Sequence, residues 1–221
     1  MVHELQDHGV FGLICALPAE LGAWAGQGDL IDAEGGLELR KVPVGDDFLI
    51  TCVGGVGKVA AARAAEALIR SGARDGLLVV GTCGSLSGEL HAGALVHCSL
   101  AVQADLGVRA GRNSSPNSAL MVAWEAVAMG SRAVFLTSDR AVFNPWRRFW
   151  VRRNHSGSCV ADMETAAAAT CAEAWGVPWV ALRAVTDGAG WGALKAFKKH
   201  YPVEAGKAAD TVTGLLSLLR A

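Results

Sequence analysis

Two short strings in this 221-residue chain place ionisable side chains where apolar runs end: Ala161-Asp162-Met163-Glu164, opening an alanine-rich stretch, and Arg183-Ala184-Val185-Thr186-Asp187, closing an apolar one. Open α/β sheets bind ligands at such junctions. An acid after a strand is often only a turn residue. Here the flanking run Trp179–Val185 is otherwise apolar, so Asp187 stands at the edge of a low-dielectric site that raises its pKa, with Thr186 and Arg183 beside it. A carboxyl group kept protonated there can donate its proton. Met163-Glu164 begins a helix, whose amino-terminal dipole favours an ionised carboxylate able to accept from two vicinal hydroxyls at once.

Two glycine-rich turns accompany them. Gly81-Thr82-Cys83-Gly84-Ser85 ends the strand Gly76–Val80 with small residues that leave room for a flat ligand. Cys83 has no histidine beside it in a nucleophile pattern, so it reads as a wall of such a site. Gly54-Gly55-Val56-Gly57-Lys58-Val59 follows a strand and opens a helix, but its spacing is not that of a Walker A loop and no Ser or Thr follows Lys58.

The elements that must hold these residues are legible as alternating runs. Phe11–Ala16, Phe48–Val53, Gly76–Thr82, Ala94–Val102, Arg132–Leu136 and Trp179–Thr186 read as strands. Val59–Ser71, Ala119–Met129, Met163–Trp175 and a stretch within Val203–Leu219 carry apolar residues at helical spacing. This alternation predicts an α/β sheet with helices on both faces, and Leu39–Val44 with Gly45-Asp46-Asp47 adds a hairpin that makes the sheet mixed. Gly107–Ser118 reads as a surface loop. Pro145–Arg153 packs four arginines among aromatics and reads as an amphipathic helix with its rings toward the core and its arginines toward water; contact with nucleic acid or lipid is the alternative.

Composition bounds the rest. At 52% hydrophobic, the chain has core enough for one domain over residues 1–221. Twenty basic against 21 acidic residues argue against a dedicated nucleic-acid or membrane-surface protein. The first eight residues lack the pattern of a signal peptide, and no apolar run approaches the roughly 20 residues of a membrane span. Cys15, Cys52, Cys83, Cys98, Cys159 and Cys171 are scattered among apolar neighbours, the pattern of reduced thiols in the cytoplasm. His91 and His97 fall on one strand face, too far apart to chelate a metal, and no metal or organic cofactor is expected.

Together with Gly81-Thr82-Cys83-Gly84 and Ala16-Leu17-Pro18-Ala19-Glu20, the two acidic strings resemble the nucleoside phosphorylase and nucleosidase superfamily, in order from about residue 10 to the end. Within it the chain is most similar to the 5′-methylthioadenosine/S-adenosylhomocysteine nucleosidases. The resemblance implies a phosphorylase/hydrolase-like three-layer α/β/α fold with a mixed central sheet, a small-molecule nucleoside as substrate, and a homodimer. It also implies roles. Asp187 protonates N7 of the purine, oriented by Thr186, and Glu20 activates the hydrolytic water. Glu164 accepts from ribose hydroxyls while Met163 packs under the sugar, and Arg183 flanks the acid. Thr82 sits near the ribose or the water, Cys83 and Gly84 flank the base, and Val56 faces the 5′ group. Thr137–Phe143 is similar to the family's adenine-binding loop, so Ala141, Val142 and Phe143 read the base through their backbone; Phe143 stands later than the family's aromatic.

Hydrolysis is favoured over phosphorolysis because the family's phosphorylases carry an arginine where this chain has Val79, and because Glu20 would repel phosphate. Lys58, Arg40 and Arg140 are the candidate anion partners if phosphate is used. Ala104-Asp105-Leu106-Gly107 is similar to futalosine hydrolases, but those carry Asn where Asp187 stands, which favours a 6-aminopurine. A hopanoid-associated phosphorylase and a non-catalytic nucleoside-binding protein are the remaining alternatives.

Overall fold

In the computed structural model, residues 8–31, 36–107 and 113–220 are described. The reading of the amino terminus as lacking a signal peptide rests on residues 1–8, of which 1–7 lie outside them, as do residues 108–112 of the expected surface loop. In chain order the elements are β1 (Val10–Cys15), a 3-10 helix (Pro18–Trp24), β2 (Asp29–Ile31), β3 (Leu39–Val44), β4 (Asp47–Val53), α1 (Lys58–Arg70), β5 (Gly76–Ser85), β6 (Leu95–Gln103) and β7 (Asn113–Ser114). There follow α2 (Ser118–Val127), β8 (Ser131–Thr137), α3 (Pro145–Arg152), β9 (Cys159–Asp162), α4 (Thr165–Ala174), β10 (Trp179–Asp187), α5 (Ala193–Glu204), α6 (Lys207–Asp210) and α7 (Val212–Leu219).

Strand order is β10-β6-β8-β9-β5-β1-β4-β3-β2, and a further β10–β5 pairing closes β5, β10, β6, β8 and β9 into a ring. The sheet is mixed: β1 runs parallel to β4 and β5, whereas β3 pairs antiparallel with β4, and β6 with β10. The three layers follow from period-two alternation along strands that are apolar on both faces. Leu77 and Val79 of β5 point into one cluster with Ala61, Ala64 and Ala65 of α1 and Ala166, Ala168 and Ala169 of α4. Leu78 and Val80 point the other way, to Leu120 and Trp124 of α2 and Val212 and Leu215 of α7. Small alanines on both α1 and α4 let these helices lie close together over the sheet.

The structure differs from the sequence reading in several details. Gly107–Ser118 is not wholly loop, since Asn113–Ser114 pairs with Ala101–Val102. His91 precedes β6 and is exposed, whereas His97 is fully buried within it, so the two do not share a strand face. The helix expected from Met163 starts at Thr165, because the Asp162 carboxylate accepts from the Glu164 and Thr165 amides and ends the extended backbone there. Helix α3 forms, but inside out: Trp146, Phe149 and Trp150 are exposed and no α3 residue is buried. The arginines hold it instead, Arg148 donating to the Leu86 carbonyl and Arg147 to the Arg140 carbonyl.

Candidate active site

The residues singled out from the sequence for catalysis and nucleoside binding line one pocket: Glu20, Val56, Thr82, Cys83, Gly84, Ala141, Val142, Phe143, Met163, Glu164, Arg183, Thr186 and Asp187. The pocket lies where strands end. Glu20 follows β1, Val56 follows β4, Thr82–Gly84 close β5, and Arg183–Asp187 close β10. Strand β9 delivers Asp162 and Glu164 to the same place because Ala161 pairs with Gly84.

A buried arginine organises the floor. Arg183 Nη2 lies 3.1 Å from both Asp162 Oδ2 and Glu164 Oε2, Nη1 donates to the Thr82 carbonyl at 2.9 Å, and Nε donates to Thr165 Oγ1 at 3.0 Å. With two carboxylates and two neutral acceptors around it, a guanidinium that is only 2% exposed stays charged. The surrounding carboxylates raise its pKa above the ordinary arginine value against the opposing effect of burial. Burial raises that of Glu164, with Arg183 opposing. Glu164 Oε1 also accepts from the Gly57 amide at the start of α1, at 3.0 Å.

Glu20 occupies the opposite wall. Its Oε2 accepts from the Ala16 and Leu17 amides, both at 3.1 Å, and its Oε1 from the Thr82 amide at 3.0 Å and the Thr82 hydroxyl at 2.9 Å. The 3-10 helix after Pro18 turns the chain so that Glu20 faces back onto these amides. Asp187 is 9% exposed, and burial raises its carboxyl above the ordinary aspartate value, although the Ala189 amide and Thr186 hydroxyl oppose this. Those donors reach its two oxygens at 2.8 and 2.9 Å. A break in register between Val185 and Asp187 turns the end of β10 and aims this carboxyl inward. His200 of α5 steadies the same turn, its Nδ1 lying 2.9 Å from the Thr186 carbonyl.

Backbone shape is part of the site. At Gly81, φ is +145°, and a Cβ there would stand 2.9 Å from Arg183 Nη1 and 3.0 Å from Glu20 Oε1. Gly81→Ala is therefore expected to lower kcat/KM about 10²-fold by displacing both groups. Backbone strain would cost about 1–3 kcal/mol of stability. Steady-state kinetics beside a melting curve checks this, and an unchanged kcat/KM would refute it.

Lys58 is engaged away from the pocket, 2.7 Å from Asp105 and 3.7 Å from Asp139. Asp139 also accepts from the Lys58 amide and Asp105 from the Asp139 amide, so this trio locks the turn that carries Val56 and Gly57. Arg40 pairs with Glu38. Of the three candidate anion partners, Arg140 lines the pocket. Burial raises the Cys83 thiol far above its ordinary value, which leaves it a wall rather than a nucleophile. Among the described residues no cluster of His, Cys, Asp or Glu could hold a metal.

Asp162 was not among the expected site residues, although it lies in the string Ala161–Glu164. The signal was its position three residues ahead of the helix, where an acid caps. Nor was Phe197 of α5, which lines the pocket and stacks at 4.9 Å on Tyr201. The three-to-four spacing of Leu194, Phe197 and Tyr201 was the available cue.

Comparison with known proteins finds relatives of this chain among nucleosidases. A 5′-methylthioadenosine/S-adenosylhomocysteine nucleosidase of Geobacillus kaustophilus is 28% identical over 183 residues, covering 75% of this chain and 78% of its own. That of Shewanella halifaxensis is 28% identical over 162 residues, 66% of this chain and 70% of its own. Among solved structures, the Streptococcus pyogenes S-adenosylhomocysteine nucleosidase in complex with 5-methylthiotubericidin superposes with a TM-score of 0.86 at 23% identity, covering 97% of this chain and 99% of that one. Futalosine hydrolase of Helicobacter pylori gives 0.87 at 20% identity, covering 95% and 97%. The model of the phosphorylase superfamily matches residues 10–217, a span that contains every residue of the pocket, and by that match this chain belongs to the phosphorylase superfamily.

Proposed function

We propose that this chain is a nucleosidase that hydrolyses the N-glycosidic bond of a purine nucleoside of the 5′-methylthioadenosine/S-adenosylhomocysteine type. The observation that carries the reading is the division of labour among buried acids in one pocket. Asp187, raised by burial, faces a carboxylate floor organised by Arg183 and a Glu20 wall held by backbone amides. Asp187 gives its proton to N7 as the bond from the ribose to N9 breaks, and the bonding electrons pass into the purine. Positive charge developing on the sugar lies beside the Glu164 carboxylate, which accepts from the ribose hydroxyls while Met163 packs beneath. Water adds at the anomeric carbon and loses its proton to Glu20, with Thr82 at hand to orient it. Cys83 and Gly84 flank the base, the backbone of Ala141–Phe143 reads its edge, and Val56 faces the 5′ substituent. These steps need acids, backbone donors and water, and no cofactor.

The names of the relatives support the reaction class. The Ala104–Gly107 string that is similar to futalosine hydrolases has a structural use here, since Asp105 pairs with Lys58. Phosphorolysis is the second reading, because Arg140 reaches the pocket wall. The whole chain works as one domain and pairs as a homodimer, and its free thiols support a cytoplasmic setting.

Base release from 5′-methylthioadenosine, S-adenosylhomocysteine, adenosine, inosine and futalosine, each with and without phosphate, tests this directly. Free base and free ribose sugar in the absence of phosphate are expected. A strict phosphate requirement with a ribose 1-phosphate product would establish the second reading instead, and silence on every substrate would leave a binding protein.

A further inference from the structure

Helix α3 and the start of α5 present a face that the proposed reaction does not use. Trp146, Phe149 and Trp150 are 77%, 63% and 56% exposed, and Trp191, just ahead of α5, is 86% exposed. Leu194, three residues on, is also exposed, as is Val203 farther along α5. The two segments meet at Arg148, whose guanidinium lies against Gly190 and donates to the Leu86 carbonyl. Rings left in water at this density mark a contact surface.

Within the two segments the charge is one-sided, with Glu89 reaching Ser158 at the edge of the face. Residues 140–158 and 188–203 hold five arginines and three lysines and none of the chain's 21 acids, although the formal net charge is −1. Arg147, Arg148, Arg152 and Arg153 donate to the neutral carbonyls of Arg140, Leu86, Gly157 and Trp150, bonds that cancel none of their charge. Arg153 lies 4.6 Å over the Trp150 ring, pairing cation and aromatic on one surface. A second copy seated here across a two-fold axis would set cation against cation. A nucleic acid would satisfy the arginines but gains nothing from Leu194 and Val203. Aromatic rings, aliphatic side chains and arginines side by side suit the headgroup level of a bilayer, where the rings enter the interface and the cations meet anionic lipid.

We propose that the α3–α5 face docks on an anionic lipid bilayer surface. Arg140 and Phe143 belong both to this face and to the wall of the pocket, so docking brings the mouth of the site to the membrane surface. Docking here departs from the expectation, drawn from overall charge, that the chain has no membrane partner, because the net figure averages over a strongly polarised surface.

The test is co-sedimentation of the full chain with vesicles of phosphatidylcholine and phosphatidylglycerol in equal parts, against vesicles of phosphatidylcholine alone. Quenching of tryptophan fluorescence by brominated acyl chains reports insertion. The wild type is expected to sediment with the mixed vesicles only and to be quenched by them. Arg152→Gln with Arg153→Gln should lower partitioning about thirtyfold. Trp146→Ser with Trp150→Ser should lower it at least about tenfold. The tryptophan variant should keep the wild-type melting temperature, since its side chains are exposed, and the arginine variant should stay close to it, since half-buried Arg152 loses one bond to the Gly157 carbonyl. Failure of the wild type to partition, or tryptophan variants that bind like the wild type, would overturn the proposal. So would duplex DNA binding that needs the arginines but not the tryptophans, or a dimer in sedimentation velocity that the tryptophan changes dissociate.

Discussion

Asp187→Asn is expected to lower kcat for base release by roughly 10²–10⁴ while leaving substrate affinity nearly unchanged. The amide can still accept from the Ala189 amide through its remaining oxygen. Its new N–H donors can meet the Thr186 oxygen, whose own proton turns to the Cys83 carbonyl 3.3 Å away. Shape and hydrogen bonding therefore survive, and what is lost is a proton that can be transferred. The pH profile separates this from a packing defect. Burial raises the Asp187 pKa, so the active, protonated form persists to higher pH than for an ordinary aspartate, and the rate falls as pH rises through that value. In the variant this alkaline limb should vanish. A variant turning over within about twofold of wild type, with the same limb, would remove Asp187 from the mechanism.

Replacing Arg183 by Met is the largest expected loss of stability, about 3–5 kcal/mol, because it strands two carboxylates that the guanidinium neutralises in the interior. The Thr82 carbonyl and Thr165 hydroxyl lose a donor as well. For a chain of this size the melting temperature should drop by roughly 6–20 °C. Its pH dependence has a definite sign. Glu164 already has its pKa raised by burial against the pull of Arg183, and without Arg183 it rises further. A carboxyl raised in the folded state contributes stability fully below its unfolded pKa, and this is lost as pH rises through the folded value. The deficit of Arg183→Met against wild type should therefore be smaller in mildly acidic buffer than in alkaline buffer. Calorimetry at both pH values checks it. A deficit that is small and independent of pH would show that Asp162 and Glu164 do not depend on the guanidinium.

Most of the sheet was readable because its strands are apolar on both faces and end at Gly, Pro or charged residues. Runs such as Gly76–Val80 admit few other structures. Asp187 was legible for a related reason: a carboxylate directly after such a run stands at the edge of the core, whatever the topology, whereas Glu20, separated from its run by three residues, stood out only through the family resemblance. Helix α5 went unassigned because its lysines and the internal Pro202 obscure the apolar stripe, and with it went Phe197 and His200. Neither addresses the pocket until α5 folds back over the end of β10.

Local chemistry and periodicity, both short-range properties, determined from the sequence alone the mixed α/β architecture, the strand-end positions of Arg183 and Asp187, the helix-start position of Glu164, and the amphipathic character of α3. Tertiary structure alone decided what those positions mean to one another. Glu20 and Glu164 are more than 140 residues apart and meet only because β1, β5 and β9 are neighbours in the sheet. Asp162 became both a helix cap and a partner of Arg183 through the register of β9 on β5. Periodicity states which residues of α3 share a side but not which side turns inward. That was settled by a hydrogen bond from Arg148 to a carbonyl 62 residues away, which left the aromatic rings in water.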